Sequence, residues 1–124
     1  MYKRQLRYQD LKSGVHINGV GSFQPSMPEI DSETIRNALV FVDSRESALS
    51  ETGDLTIPIQ EGIIGKNHLR AEIGELLENP SLGRNTPNEI TFFKSCGVAV
   101  QDVVAAGMAL EQAKKHNLGR IIRM

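Results

Sequence analysis

Leu39-Val40-Phe41-Val42-Asp43-Ser44-Arg45-Glu46 is the stretch whose reading decides the fold class. Its first four positions are apolar without alternation, the pattern of a strand covered on both faces in a parallel sheet. Asp43 to Glu46 then reads as a D-x-x-E capping box opening a helix over 45–51. Upstream, Val15-His16-Ile17-Asn18-Gly19-Val20-Gly21 sets β-branched residues two apart and ends in glycines, which suits a short strand leaving a sheet. Pro25 and Pro28 forbid a regular element there, and Asp31-Ser32-Glu33 supplies an N-cap and first-turn acids for a helix over 33–37. Strand, helix, strand, helix at this pace predicts an α/β sheet.

Downstream the pattern is less regular. Thr52-Gly53-Asp54 closes the second helix, and Pro58, Gly62 and Gly65 argue against long elements before His68. Leu69, Ile73, Leu76 and Leu77 repeat at helical spacing, so a helix is expected over 69–77, ended by Asn79-Pro80. The polar, turn-rich residues 81–88 read as a surface loop. Thr86-Pro87-Asn88-Glu89 resembles a helix start, but the β-branched and aromatic Ile90-Thr91-Phe92-Phe93 favours a strand over 90–94. After Gly97 the helical signal is strongest: Val100, Val103, Val104, Gly107, Met108 and Glu111 form one stripe flanked by alanines, in a helix reaching about His116. Lys114 and Lys115 suit its last turn, Asn117 and Gly119 its C-cap, and its small-residue faces suit close packing against other elements. Arg120-Ile121-Ile122-Arg123 is a candidate terminal strand that needs a partner.

Composition narrows the function classes. The chain has 124 residues, 40% of them apolar, enough for one core rather than two domains. Lys and Arg total 14 against 15 Asp and Glu, a net charge of −1, so the one-signed surface of a general nucleic-acid binder is absent. The single cysteine, Cys96, excludes an internal disulfide framework and a zinc site built on cysteine pairs, and points to a reducing, cytoplasmic compartment. The longest uncharged stretches fall far short of the roughly 18 apolar residues that span a bilayer, so no membrane partner is expected.

Two places have the character of a ligand site. Gly19-Val20-Gly21-Ser22-Phe23-Gln24 offers G-x-G after a strand, but lacks the third glycine, and Pro25 stands where a helix would receive a pyrophosphate. It is better placed as a glycine-rich strand end at the carboxyl edge of the sheet, where such folds bind ligands, or as a plain tight turn. Lys94-Ser95-Cys96-Gly97 lies where a strand feeds the long helix, so free N–H groups there suit an anionic group such as a carboxylate. Ser95 adds a hydroxyl donor or serves as the helix N-cap, the favoured reading, and Cys96 reads as a small buried thiol rather than a nucleophile. His16, His68 and His116 stand far apart, without neighbours at metal spacing, and no metal is expected. Glu29 and Asp31 could form an acid/base pair, but capping and dipole compensation suit their position better. Gly62-Ile63-Ile64-Gly65-Lys66 lacks the spacing of a phosphate loop, and Lys3, Arg4, Arg7 and Lys12 read as a solvated face.

Several blocks in unbroken order carry a resemblance: His16 to Pro25, Glu29-Ile30-Asp31-Ser32, Val40 to Arg45, Gly53-Asp54-Leu55, Glu72 to Leu76, and Ile90 to Asp102. From about Asp10 onward the chain resembles the ornithine cyclodeaminase/mu-crystallin family. The resemblance implies an NAD(P)-dependent enzyme of small α-amino or α-imino acids, homodimeric, with a Rossmann domain and a separate dimerisation and substrate domain. It also implies that this chain is the C-terminal portion: part of a Rossmann-like doubly wound sheet over residues 10–97, then a helix and terminal strand over 98–124 that return to the dimerisation domain. Residues 1–9 are unmatched.

The resemblance places the nicotinamide-side loop on Val20, Gly21, Ser22 and Phe23, the cofactor-contacting serine on Ser95, and the residue beside the substrate on Cys96. Cyclodeaminases carry a proton-transferring Asp where this chain has Phe23, and a Lys where it has Met27. No catalytic residue is therefore assigned. Hydride delivery to a preformed C=N bond depends mainly on placing NAD or NADP, so reduction of small imino acids is expected. The alternatives are ornithine cyclodeamination with a different base, or a non-catalytic ligand-binding or dimerisation protein.

Overall fold

The computed structural model describes residues 6–120 and Ile122. Four strands, β1 (His16–Gly19), β2 (Leu39–Val42), β3 (Leu69–Glu72) and β4 (Thr91–Lys94), form one all-parallel sheet in the order β1-β4-β2-β3. Around it lie α1 (Ser32–Asn37), α2 (Arg45–Glu51), α3 (Gly53–Gln60), α4 (Ile73–Glu78) and α5 (Ala99–Lys115). The chain runs from β1 through α1 to β2, leaving a gap that β4 later fills. Because all strands are parallel, the segments following β1, β4 and β2 emerge side by side at one carboxyl edge.

Register aligns Ile17 with Phe92 and Phe92 with Val40, and all three are buried. That row faces Ile35 of α1, Ala48 of α2 and Leu55 of α3, which form one core with Val42, Leu69 and Ile64. Burying each of the Val, Leu, Ile and Phe side chains stabilises by roughly 1.5–3 kcal/mol. The opposite face is less covered: Phe41, Phe93, His16 and Thr91 line an open groove of about 460 Å³ with Ile73 and Leu76 of α4. The mixed α/β architecture expected from Leu39 to Val42 is the one observed.

Four local expectations need correction. Leu69 begins a strand, not a helix: Leu69 and Ala71 alternate inward against Val40 and Phe41, and α4 starts only at Ile73, with a capping box between Glu72 and Glu75. Residues 53–60 form a helix despite Pro58. Thr52 caps it through Asp54 N–H, and burial of Gly53 to Thr56 and Pro58 outweighs the missing donor. Asp43 does not cap α2, because Ser44 does, at 3.4 Å from Ser47 N. The long helix begins at Ala99 with Val98 as N-cap and no side-chain cap, so Ser95 is not its N-cap. That helix ends as expected, with Asn117 in the left-handed region and Leu118 N–H returning to Ala113 at 2.8 Å. None of its residues is buried. The candidate terminal strand rests on Ile121 and Arg123, which lie outside the described residues, as do residues 1–5 with Lys3 and Arg4.

Candidate functional site at the carboxyl edge of the sheet

The loop after β1 is shaped by an internal carboxylate. Glu29 Oε2 accepts from Gly21 N–H at 2.7 Å and Ser22 N–H at 3.0 Å. A Cβ on Gly21 would collide with Glu29 Oε1, so glycine here allows the carboxylate to approach closely and is not needed for a special φ. The Glu29 carboxylate is therefore committed to the loop and does not cap α1. Asp31 caps α1 through Thr34 N–H at 2.9 Å and accepts from Tyr8 N–H at 3.1 Å.

Ser22 turns inward and is fully buried. Its hydroxyl donates to Met27 O at 2.5 Å, lies 2.9 Å from Thr52 Oγ1 and accepts from Gly53 N–H at 3.0 Å. With these partners it has no capacity left for a ligand. Val20 and Phe23 point the other way, 70% and 64% exposed, so the loop presents apolar side chains at the edge.

The loop after β4 lies alongside, tied to β1 by Ser95 N–H donating to Gly19 O at 3.0 Å. Asp43, at the end of β2, takes its donors. Asp43 Oδ2 accepts from the Ser95 hydroxyl at 3.0 Å, Cys96 N–H at 2.8 Å and Gly97 N–H at 2.9 Å, while Oδ1 accepts from Ser44 N–H at 2.9 Å. The free N–H groups that the sequence offers to an anion are thus held by Asp43. Having donated its proton, Ser95 Oγ can meet a ligand only as an acceptor. Burial, then the negative Asp43, pushes the Cys96 thiol up to about 11, which keeps it protonated and unreactive at neutral pH.

Beneath both loops lies a buried ion pair. Lys94 and Asp54 are fully enclosed, with Lys94 Nζ 3.8 Å from Asp54 Oδ2. Asp54 Oδ1 accepts from Glu29 N–H at 2.6 Å and Ile30 N–H at 3.1 Å. Burial pushes the Asp54 carboxyl above the usual range, opposed by those two N–H bonds and by Lys94. Sequence reasoning missed Lys94, Asp54 and the roles of Glu29 and Asp43. The available signal was Lys94 itself, a charge on the inward face of a strand, in phase with Phe92.

The remaining candidates are structural. His16 bonds Thr91 Oγ1 at 2.7 Å, His68 bonds Ile35 O at 2.8 Å, and His116 is the C-cap of α5. Gly62 and Gly65 sit in the turn between α3 and β3. Among the described residues no helix is long and apolar enough to cross a membrane.

Comparison with known proteins gives a family match over nearly the whole chain. Residues 5–117 match the model of the ornithine cyclodeaminase/mu-crystallin family. The chain is 46% identical over 113 residues to a Δ1-pyrroline-2-carboxylate reductase of Bacillus cereus, covering 90% of this chain and 35% of that protein. The solved structure of the Thermococcus litoralis Δ1-pyrroline-2-carboxylate reductase with NADH and L-proline superposes with a TM-score of 0.86 at 39% identity, over 94% of this chain and 36% of that one. An archaeal alanine dehydrogenase dimer with bound NAD gives 0.84 at 33% identity, over 98% and 38%. The chain thus spans about a third of the length of the relatives it matches.

Proposed function

The chain belongs to the ornithine cyclodeaminase/mu-crystallin family, and from that premise we propose that it forms the nicotinamide side of an NAD(P)-dependent enzyme reducing small α-imino acids. One observation carries the reading: at the carboxyl edge the N–H groups of Gly21, Ser22, Cys96 and Gly97 are committed to Glu29 and Asp43. An edge whose donors are taken by carboxylates does not suit a pyrophosphate. It suits a flat, uncharged or cationic ring resting on exposed Val20 and Phe23.

Within that seat each residue has a distinct task. Val20 and Phe23 supply apolar contact, Gly21 allows the close turn, and Ser22 anchors the loop from inside instead of touching the cofactor. Ser95 Oγ, which donates its hydrogen bond to Asp43, would be left to accept from the carboxamide N–H of the ring. The neutral Cys96 thiol would stand beside the substrate. Bound NAD(P)H would supply the hydride to the C=N carbon of an imino acid that enters with its nitrogen already protonated, so that the amine forms without a proton donor from the protein. Phe23 in place of a carboxylate leaves no proton-transfer group at that position, which supports reduction over cyclising deamination. The reductase and dehydrogenase names of the relatives support the same choice.

At the level of the whole protein, the proposal is a cytoplasmic homodimer in which residues 10–97 belong to the Rossmann-like domain. Residues 98–124 belong to the dimerisation and substrate domain. Exposure of Val100, Val103, Val104 and Met108 on α5 supports that division. The test is a chimera in which this chain replaces its counterpart in the Bacillus cereus reductase. It should oxidise NAD(P)H on Δ1-pyrroline-2-carboxylate, and S95A should raise KM for the cofactor by about tenfold, the value of one hydrogen bond. No imine-dependent oxidation by a folded chimera would refute the reading.

A further inference from the structure

Lys94 is a charged side chain on the core-facing side of the sheet, and its ammonium has no hydrogen-bond acceptor among the described residues. Its nearest carboxylate oxygen, Asp54 Oδ2 at 3.8 Å, lies beyond the roughly 2.7–2.9 Å of a charge-assisted hydrogen bond. Such an arrangement is costly, because each ion loses its hydration. Local packing alone does not account for it, since a methionine would fill the same volume without a charge.

The contacts of Asp54 suggest what the cost sustains. Its Oδ1 holds Glu29 N–H and Ile30 N–H, and the Glu29 side chain holds Gly21 N–H and Ser22 N–H. A second route reaches the same loop: Asp54 N–H donates to Thr52 Oγ1 at 3.2 Å, and Thr52 Oγ1 lies 2.9 Å from Ser22 Oγ. Lys94 also lines the strand end from which the loop departs, since a Cβ on Gly19 would meet Lys94 Cδ at 3.6 Å. One buried cation therefore stands behind both faces of the loop.

We propose that Lys94 is a positioning residue for the nicotinamide-side loop, acting through Asp54 and Glu29 on Gly21 and Ser22. Lys94, 3.8 Å from Oδ2, holds the Asp54 carboxylate in the core, where its Oδ1 grips the Glu29-Ile30 backbone. That grip aims the Glu29 carboxylate at the loop. The role in cofactor binding rests on the reading of residues 20–23 as the nicotinamide seat, but the linkage itself needs no cofactor and is tested without one.

The experiment is amide hydrogen exchange by NMR on the 124-residue chain, with the β2 amides as internal reference. In K94M the Asp54 carboxylate loses its buried counter-charge and swings away from the Glu29 and Ile30 N–H groups, so Gly21 and Ser22 should exchange at least about tenfold faster relative to β2. In K94M/D54N neither charge remains, the amide that replaces the carboxylate still offers an oxygen to both N–H groups, and most of the protection should return. A lysine that only fills space would not be rescued by a second-site change of charge. Unaltered loop exchange in K94M, or a double variant as fast as the single, would overturn the proposal. Should K94M fail to fold, the double variant decides alone: it folds with a protected loop if Lys94 acts through Asp54, and fails likewise if it does not. Absence of cofactor binding with the linkage intact would count against the nicotinamide reading alone.

Discussion

Glu29 holds Gly21 in place: the backbone N–H of Gly21 donates to Glu29 Oε2 at 2.7 Å, and the other carboxylate oxygen fills the space that a Cβ on Gly21 would need. The loop at the end of β1 is thus completed by a side chain eight residues on, beyond two prolines.

That contact predicts a non-additive pair of variants. E29A leaves the N–H groups of Gly21 and Ser22 without their acceptor, and G21A forces the same carboxylate away. Each should cost about 1–3 kcal/mol in urea denaturation. Because both remove the same bonds, the double variant should cost little more than the worse single. Additive losses would show that Glu29 and Gly21 act separately.

Cys96 should be a poor nucleophile. Burial and Asp43 hold its thiol at about 11, so its alkylation rate with iodoacetamide should rise about tenfold per pH unit from pH 7 to pH 10. D43N should bring the rise to lower pH. A plateau near the ordinary cysteine range would contradict the description of this site.

The buried carboxyl of Asp54 makes a signed prediction. Its folded pKa lies above the ordinary value of 3.8, so the folded state holds the proton to higher pH than the unfolded chain does. The contribution of Asp54 to stability therefore falls as pH rises from that value through the raised one. Glu75 and Glu89 carry lowered values, held down chiefly by the N–H groups of Glu72 and Thr86, and they act in the opposite sense. The informative quantity is the stability of the parent minus that of D54N, measured by denaturation between about pH 4 and pH 7. This difference should decline as pH rises, and a flat or rising difference would refute the assignment.

The α/β plan was legible where one element obeys one rule. Leu39 to Val42 is apolar throughout because both faces of β2 are buried at its centre: Val40 and Val42 belong to the core, and Phe41 is buried on the other side. Asp31 and Asn117 announce their helix ends because a cap is a contact within one turn. Legibility failed where two rules share one segment. Leu69 and Ala71 follow a strand period that runs directly into the helix period of Ile73 and Leu76, and the merged pattern resembles one helix. The site was half legible for a related reason. Glycines and a serine at strand ends mark the carboxyl edge, but the acids that complete it come from other segments: Glu29 from the loop before α1, Asp43 from the end of β2 and Asp54 from α3. No periodicity within one segment reveals a partner 52 residues away, as Asp43 is from Ser95.

Following the hydride tests the proposed reduction most directly. The chimera carrying this chain in the Bacillus cereus reductase is given Δ1-pyrroline-2-carboxylate with NADH or NADPH deuterated at the transferring position, and separately ornithine, with proline read by mass spectrometry. An imino-acid reductase yields proline one mass unit heavier from the imine, with cofactor oxidised in equal amount, and no proline from ornithine. Proline and ammonia formed from ornithine, without label transfer to the imine, would contradict that function.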